Sequence, residues 1–377
     1  MSDKLQRRSF ISKIGLALST AMITPWSNFA SNFKEIEKNT SPILDKKALG
    51  FQWDTLDPFL FCVHHEDEFP KGNEVMGPNK ELFKGRHMGD DFIIKDGFRM
   101  YHGKTVPGFP GHPHRGFETI TVVRKGIVDH ADSMGASGRY GNGDVQWMTA
   151  GKGVQHSEMF PLVHQDKDNT MELFQIWLNL PQKDKMIEPH FKMLWREAIP
   201  NHAYTDNKGK KTNVEVIAGK VENEKAPTPP PGSWATEEAN QVAIWNIKME
   251  AGATWTLPKT AEGVNRMLYF YEGTALTLAG ENIKPYTAVQ LIPTMDVALV
   301  ASGGEEVSIL VLQGKPIGEP VIQYGPFVMN TKEEIKQAFD DYHATEFGGW
   351  PWPKYDQVHP RNKSRFAHHA DGKEEVF

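Results

Sequence analysis

His112-Pro113-His114-Arg115-Gly116-Phe117-Glu118-Thr119 and, about forty residues on, His156-Ser157-Glu158-Met159 are the stretches on which the reading of this chain turns. Each holds two potential metal donors at positions i and i+2, which on a β-strand point to the same face. Two such strands side by side would aim His112, His114, His156 and Glu158 at one point inside a barrel. Three neutral imidazoles and a carboxylate suit Fe(II), Mn(II), Ni(II) or Cu(II) and leave one or two positions open on an octahedral ion. A structural zinc site would more often use cysteine, and the one cysteine, Cys62, is not placed to help. Gly151 and Gly153 allow tight turns just before His156. The plainer alternative is a polar cluster in a barrel mouth.

Outward from these motifs the chain reads as short β-rich runs separated by glycine-containing turns. Examples are 118–123, 145–148, 173–178, 214–218, 242–247, 266–271, 288–292 and 307–312. Their lengths and spacing predict an all-β sandwich or barrel rather than βαβ units. No Gly-x-Gly-x-x-Gly precedes a helix, which argues against a dinucleotide fold. The run Ile120-Thr121-Val122-Val123-Arg124-Lys125-Gly126 is echoed by Met267-Leu268-Tyr269-Phe270-Tyr271-Glu272-Gly273, which suggests two related β-domains in tandem. One helix is predicted over about 332–343. Thr331 and Glu334 have the spacing of a capping box, and Ile335, Ala338, Phe339 and Tyr342 fall on one face. The proline-rich segment 226–233 reads as a rigid loop inside the second half, and residues 355–377 as a polar, loosely ordered tail in which His368 and His369 are solvated.

The chain has 377 residues, 39% hydrophobic and 11% aromatic, enough for two or three ordinary domains. Lys+Arg 42 against Asp+Glu 48 gives a net charge of −6, without the basic surplus of a nucleic-acid binder. A single cysteine excludes a disulfide framework, a zinc ribbon and a Cys-ligated iron–sulfur cluster, so any metal must rest on the 15 histidines and on carboxylates. Residues 1–30 carry Lys4, Arg7, Arg8 and Lys13 against one acid, Asp3, followed by an apolar run from Ile14 to Ile23 and then Pro25. That is the pattern of an export signal, too short for a stable membrane anchor. Arg7-Arg8-Ser9-Phe10-Ile11 resembles the twin-arginine signal, which predicts a periplasmic protein, or a cytoplasmic one if the signal is not used. Cleavage near Ala30 would remove four positive charges and one negative, taking the net charge to −9.

Three runs taken together resemble the pirin family. They are His112 to Thr119, then Gly143-Asp144-Val145-Gln146-Trp147-Met148-Thr149-Ala150-Gly151-Lys152-Gly153, then His156-Ser157-Glu158-Met159. The later run Glu319-Pro320-Val321-Ile322-Gln323-Tyr324-Gly325-Pro326-Phe327-Val328-Met329-Asn330-Thr331 resembles that family's C-terminal signature. The resemblance implies a bicupin, two tandem cupin (jelly-roll) barrels with a C-terminal helix and metal only in the N-terminal barrel. It carries the ligand roles to His112, His114, His156 and Glu158. The broader cupin pattern would instead take its carboxylate from Glu118, which shares the parity of His114 and is the candidate for a partner behind the ligands. The expected organisation is an export signal at 1–30, a linker at 31–48, a metal-binding cupin at 49–180, a metal-free cupin at 181–350 that includes the helix, and a polar tail at 351–377. Compared with a typical pirin, roughly thirty residues are inserted between Asp57-Pro58-Phe59-Leu60 and His112, bringing His64, His65, His87 and His102 toward the metal mouth as a lid or a narrowing. Gln155 stands where the family has an aliphatic residue.

The activity this implies is that of a metal-dependent dioxygenase resembling quercetin 2,3-dioxygenase, acting on a flavonol or related phenolic enol. In that reading Glu158 loosens from the metal and acts as the general base. Phe117, Glu118, Trp147, Met148 and Met159 are the expected pocket residues. One divalent metal, Fe(II) foremost with Mn, Ni or Cu as alternatives, is the expected cofactor. The expected partner is a small molecule, with no nucleic acid and no membrane anchor. Two barrels on one chain already satisfy the pairing that single cupins gain by dimerising, so a monomer is expected. Competing readings are a metal- or redox-sensing binding protein and a different small-molecule cupin reaction.

Overall fold

The structure, a computed structural model, describes residues 41–377. The segment read as an export signal, and residues 31–40 of the expected linker, lie outside the described residues.

Two β-barrels stand face to face. The first is built from two six-stranded sheets. One runs in the order His190–Leu194, Val145–Thr149, Phe117–Lys125, Asn169–Asn179, Phe59–Phe69 and Gln52–Trp53. The other runs Glu374–Val376, Phe366–His368, Ser137–Gly141, Ile127–Asp132, Val154–Met159 and Gly108–His114. The second barrel pairs a seven-stranded sheet, centred on Asn265–Glu272, Val307–Gly314 and Ala243–Met249, with a four-stranded one. All named strand pairs are antiparallel.

Strand parity divides the side chains. On Asn265–Glu272, Leu268 and Phe270 fill the second barrel, while Met267, Tyr269 and Tyr271 face the first. On Phe117–Lys125, Ile120 and Val122 meet that same interface, while Thr121 turns into the first barrel's cavity. Full burial of one such apolar side chain contributes about 1.5–3 kcal/mol, so the shared interface joins the barrels into one packed body. The echo between the barrels has a backbone basis. Gly126 and Gly273 end the matching strands at φ +86° and +116°, and a Cβ at either would come within 2.8 Å of a backbone oxygen. The interior of the second barrel is packed with Trp245, Ile247, Leu268, Phe270 and Ile309, leaving hydrocarbon where the first barrel has imidazoles.

The helix spans Lys332–Thr345, two residues beyond the expected end, and its capping box is formed. Thr331 Oγ1 accepts from the Glu334 N–H at 3.1 Å, and the Glu334 carboxylate accepts from the Thr331 N–H at 2.9 Å. Ile335, Ala338 and Tyr342 pack on Phe327 and Met329. Gln155 secures the far end of this helix: its side-chain oxygen accepts from the Tyr342 hydroxyl at 3.0 Å, and its amide donates to the Glu346 carbonyl at 2.6 Å. That use explains an amide where an aliphatic residue was expected.

Several expectations are corrected. Within the supposed linker, Ile43–Ala48 is a strand paired with Thr287–Leu291, so this segment belongs to the second barrel although it precedes the first in sequence. His190–Leu194 pairs with Val145–Thr149, which carries the first barrel past residue 180; the second barrel's sheet takes the chain from Asn201. The tail is ordered. Phe366–His368 extends the first barrel beside Ser137–Gly141. The buried Arg139 pairs with both oxygens of Asp129 and donates to the carbonyls of His359, Pro360 and Lys363. His368 and His369 are not simply solvated but sit beside Glu374 and Glu375 at 3.2 and 3.0 Å.

Candidate metal centre

Gly108–His114 and Val154–Met159 are neighbours, with His112 directly opposite His156. The i, i+2 spacing then places His114 and His156 on the same inward face, and the three imidazoles meet with ring centroids 4.5–5.0 Å apart. One nitrogen from each lies within 4.8 Å of the others, a group of metal-binding size among the described residues. All three are buried.

The outer nitrogens fix the tautomers. His112 Nδ1 is 3.0 Å from the Pro110 carbonyl and His114 Nδ1 is 3.4 Å from the Pro326 carbonyl. A carbonyl only accepts, so Nδ1 carries the proton and Nε2 presents a lone pair inward. Pro326 lies in the C-terminal signature run, so that segment braces a ligand from across the chain. Among the described residues neither ring nitrogen of His156 has a hydrogen-bond partner, although both are buried. Such an orphaned group is costly unless something binds it, and a divalent metal shared with His112 and His114 fits. Burial pushes His112 down to about 4 and holds His114 and His156 well below the usual imidazole range, with the neighbouring imidazoles adding to the effect. All three are therefore neutral near pH 7, the form that binds metal.

Glu158 Oε2 lies 3.8 Å from His156 Nε2. Thr121 donates to Oε1 at 2.7 Å and the Gln175 amide to Oε2 at 3.2 Å, with the Tyr140 hydroxyl 3.5 Å from Oε1. Burial raises the Glu158 carboxyl, and these hydrogen bonds oppose the rise.

The triad and Glu158 open on a cavity of about 620 Å³. Its walls are mostly apolar and include Phe61, Val63, Phe109, Phe160, Leu173 and Trp177. This volume falls within the range of small-molecule sites. The segment between the strands Phe59–Phe69 and Gly108–His114, where an insertion was expected, closes one side through Asp90, Phe92, Ile93 and His102. It is a packed element rather than a loose flap: Asp91 and Tyr101 exchange backbone hydrogen bonds, and the Arg86 guanidinium ties Asp91 to the Phe98 carbonyl. His64 and His65 are not in this segment but on the strand Phe59–Phe69. His64 turns toward the barrel interface against Phe174, and His65 lines the cavity. His87 is largely exposed.

The expected pocket residues are corrected, because none of Phe117, Glu118, Trp147, Met148 and Met159 lines this cavity. Phe117 is packed behind the ligands, against the His114 and Trp177 rings. Trp147 belongs to the interface between barrels, and Met148 and Met159 are fully buried. Glu118 faces away from the metal group, accepting hydrogen bonds from Thr149 at 2.7 Å and from Ser233 of the second barrel at 2.5 Å. The shared parity with His114 is lost because the strand breaks at Arg115-Gly116. Gly116 has φ +85°, and a Cβ there would lie 2.0 Å from the Val328 carbonyl oxygen. Sequence reasoning missed Thr121, Gln175, Trp177 and Tyr140. A period-two walk along their strands was the available signal, but the register that points Thr121, Gln175 and Tyr140 at Glu158 and Trp177 at His114 is not local.

The pirin family model matches residues 72–178, and the model for the pirin C-terminal cupin domain matches residues 244–348. A Pseudomonas aeruginosa protein whose name provisionally assigns it quercetin 2,3-dioxygenase activity is 38% identical over 242 residues, covering 64% of this chain and 79% of its own length. Pirin of Homo sapiens is 32% identical over 263 residues, 69% of this chain and 83% of its own. The crystal structure of quercetin 2,3-dioxygenase from Acinetobacter baumannii superposes with a TM-score of 0.63 at 27% identity, covering 82% of this chain and 99% of that one.

Proposed function

This chain belongs to the pirin family, and from that premise we propose that it is a metal-dependent dioxygenase of the quercetinase type, acting on a flavonol or a related phenolic enol. The observation that carries the reading is access: a largely apolar cavity of about 620 Å³ reaches the three-histidine group directly. A sensor of metal state needs only a surface near its ion, whereas an enzyme needs room for a substrate at it.

His112, His114 and His156 would hold the metal, with Glu158 beside them. Once bound, a divalent ion supplies Lewis acidity toward an enol oxygen and a position for a second reactant. We take Fe(II) as that ion because three imidazoles and a carboxylate match its preferences. The protein's own part is to position and to exclude water. The aromatic walls give a planar substrate an apolar seat beside the three histidines. Glu158, aimed by Thr121 and Gln175, takes up the enol proton.

The test is aerobic turnover of quercetin by protein of known metal content, exchanged in turn for Fe, Mn, Ni and Cu. Loss of the flavonol absorbance, dependent on metal and on His112, supports the reading and identifies the working ion. One bound equivalent with no turnover for any ion would refute it.

A further inference from the structure

His65 lies on the cavity wall, separated from His112 by the ring of Phe109. Its own ring centroid is 6.0 Å from that of Phe109, which is 6.3 Å from that of His112. Behind His65 runs a buried chain of polar groups. The Tyr101 hydroxyl lies 2.9 Å from His65 Nδ1 and 2.5 Å from Asp67 Oδ2. Asp67 is held in turn by Arg99, whose Nε and Nη2 reach its two oxygens at 3.0 Å each while the Arg99 backbone N–H donates to Oδ1 at 2.8 Å. Tyr101 and Arg99 both come from the segment between the strands Phe59–Phe69 and Gly108–His114.

Proton counting assigns the roles. A phenol has one proton, and the short contact to a carboxylate paired with arginine takes it. Toward His65 the Tyr101 oxygen can then only accept, so Nδ1 carries the imidazole proton. Nε2 is left as an accepting lone pair on a side chain that lines the cavity. Tyr101 reaches this position at φ +56°, a costly conformation for a bulky residue, clamped by its two backbone hydrogen bonds to Asp91. Strain held in place by surrounding structure beside a cavity points to a positioned group rather than to filler.

We propose that His65 Nε2 accepts a hydrogen bond from a second hydroxyl of the ligand, remote from the atoms at the three-histidine group, and that Tyr101 and Asp67 are the residues that position it. The site would then select a polyhydroxylated aromatic over one bearing only the metal-directed hydroxyl. This rests on the proposed flavonol reading and adds a specificity element built where the strand Phe59–Phe69 meets the segment that follows it.

The experiment compares anaerobic binding of quercetin and of 3-hydroxyflavone, which keeps the enol and lacks the other hydroxyls, to full-length metal-loaded protein by absorbance titration. The wild-type protein is expected to favour quercetin by about three- to tenfold, the range of one neutral hydrogen bond. His65→Leu should bring the ratio to near one by weakening quercetin alone, with metal content unchanged. Tyr101→Phe should lower the ratio in part, and His65→Gln, which keeps an accepting atom, should restore some of it. An unchanged ratio in His65→Leu, or equal weakening of both ligands, would overturn the assignment while leaving the flavonol reading standing. Binding of neither ligand by metal-loaded wild-type protein would remove the flavonol reading and this inference with it.

Discussion

His156 is a buried imidazole with neither nitrogen hydrogen-bonded among the described residues, which costs the protein stability unless an ion shares its lone pair. Replacing it by leucine should abolish metal binding, read as less than a tenth of an equivalent by elemental analysis. The same His156→Leu protein should be no less stable than the wild type when both are unfolded in chelator, and by roughly 1 kcal/mol more stable if the orphaned atoms set the balance. Thr121 offers a second check at this scale. Its hydroxyl aims Glu158, so Thr121→Val should lower kcat with quercetin by about tenfold, leaving metal content intact.

At the level of elements, the C-terminal helix and the tail both brace the first barrel from outside the cupin repeat. Thr331→Ala removes a formed capping box and should cost about 1 kcal/mol in urea unfolding. The tail matters more than its polarity suggests. A chain ending at His359 would strip the buried Arg139 of the Pro360 and Lys363 carbonyls and take away the strand beside Ser137–Gly141. Such a truncation should lower the melting temperature by several degrees, a loss of about 1–3 kcal/mol for buried donors left unpaired.

Across the whole molecule, the two barrels meet around Glu118, whose carboxyl burial pushes up to about 7 despite hydrogen bonds from Ser233 and Thr149. The folded state therefore holds this proton more tightly than the unfolded chain does. Its contribution to stability is complete below about pH 4.5 and declines as pH rises through 7. Glu118→Gln should accordingly gain stability relative to the wild type as the pH is raised from 5 to 8, measured by thermal unfolding at both ends. A flat difference would contradict the buried-carboxyl account. Metal removal acts on the same body: an ion present at about a thousand times its dissociation constant adds about 4 kcal/mol, so chelation should depress the melting temperature of the entire chain.

Local pattern alone determined a good deal of this protein. The i, i+2 donors name His112, His114 and His156, which the structure brings together, because a strand's period of two does not depend on what surrounds it. The eight predicted β-runs were legible from local residue preference and turn spacing, and the helix from its capping box and 3.6-residue period. Only the tertiary structure decided which way Glu118 faces, since a glycine forced by the approach of Val328 breaks the parity that linked it to His114. The cavity walls were equally hidden: Phe61, Val63 and His65 line it from a strand about fifty residues before His112, and the segment after that strand reaches it braced by the buried Arg86–Asp91 pair. Strand register and the docking of distant segments arise from contacts between residues far apart in the chain, and no local period encodes them.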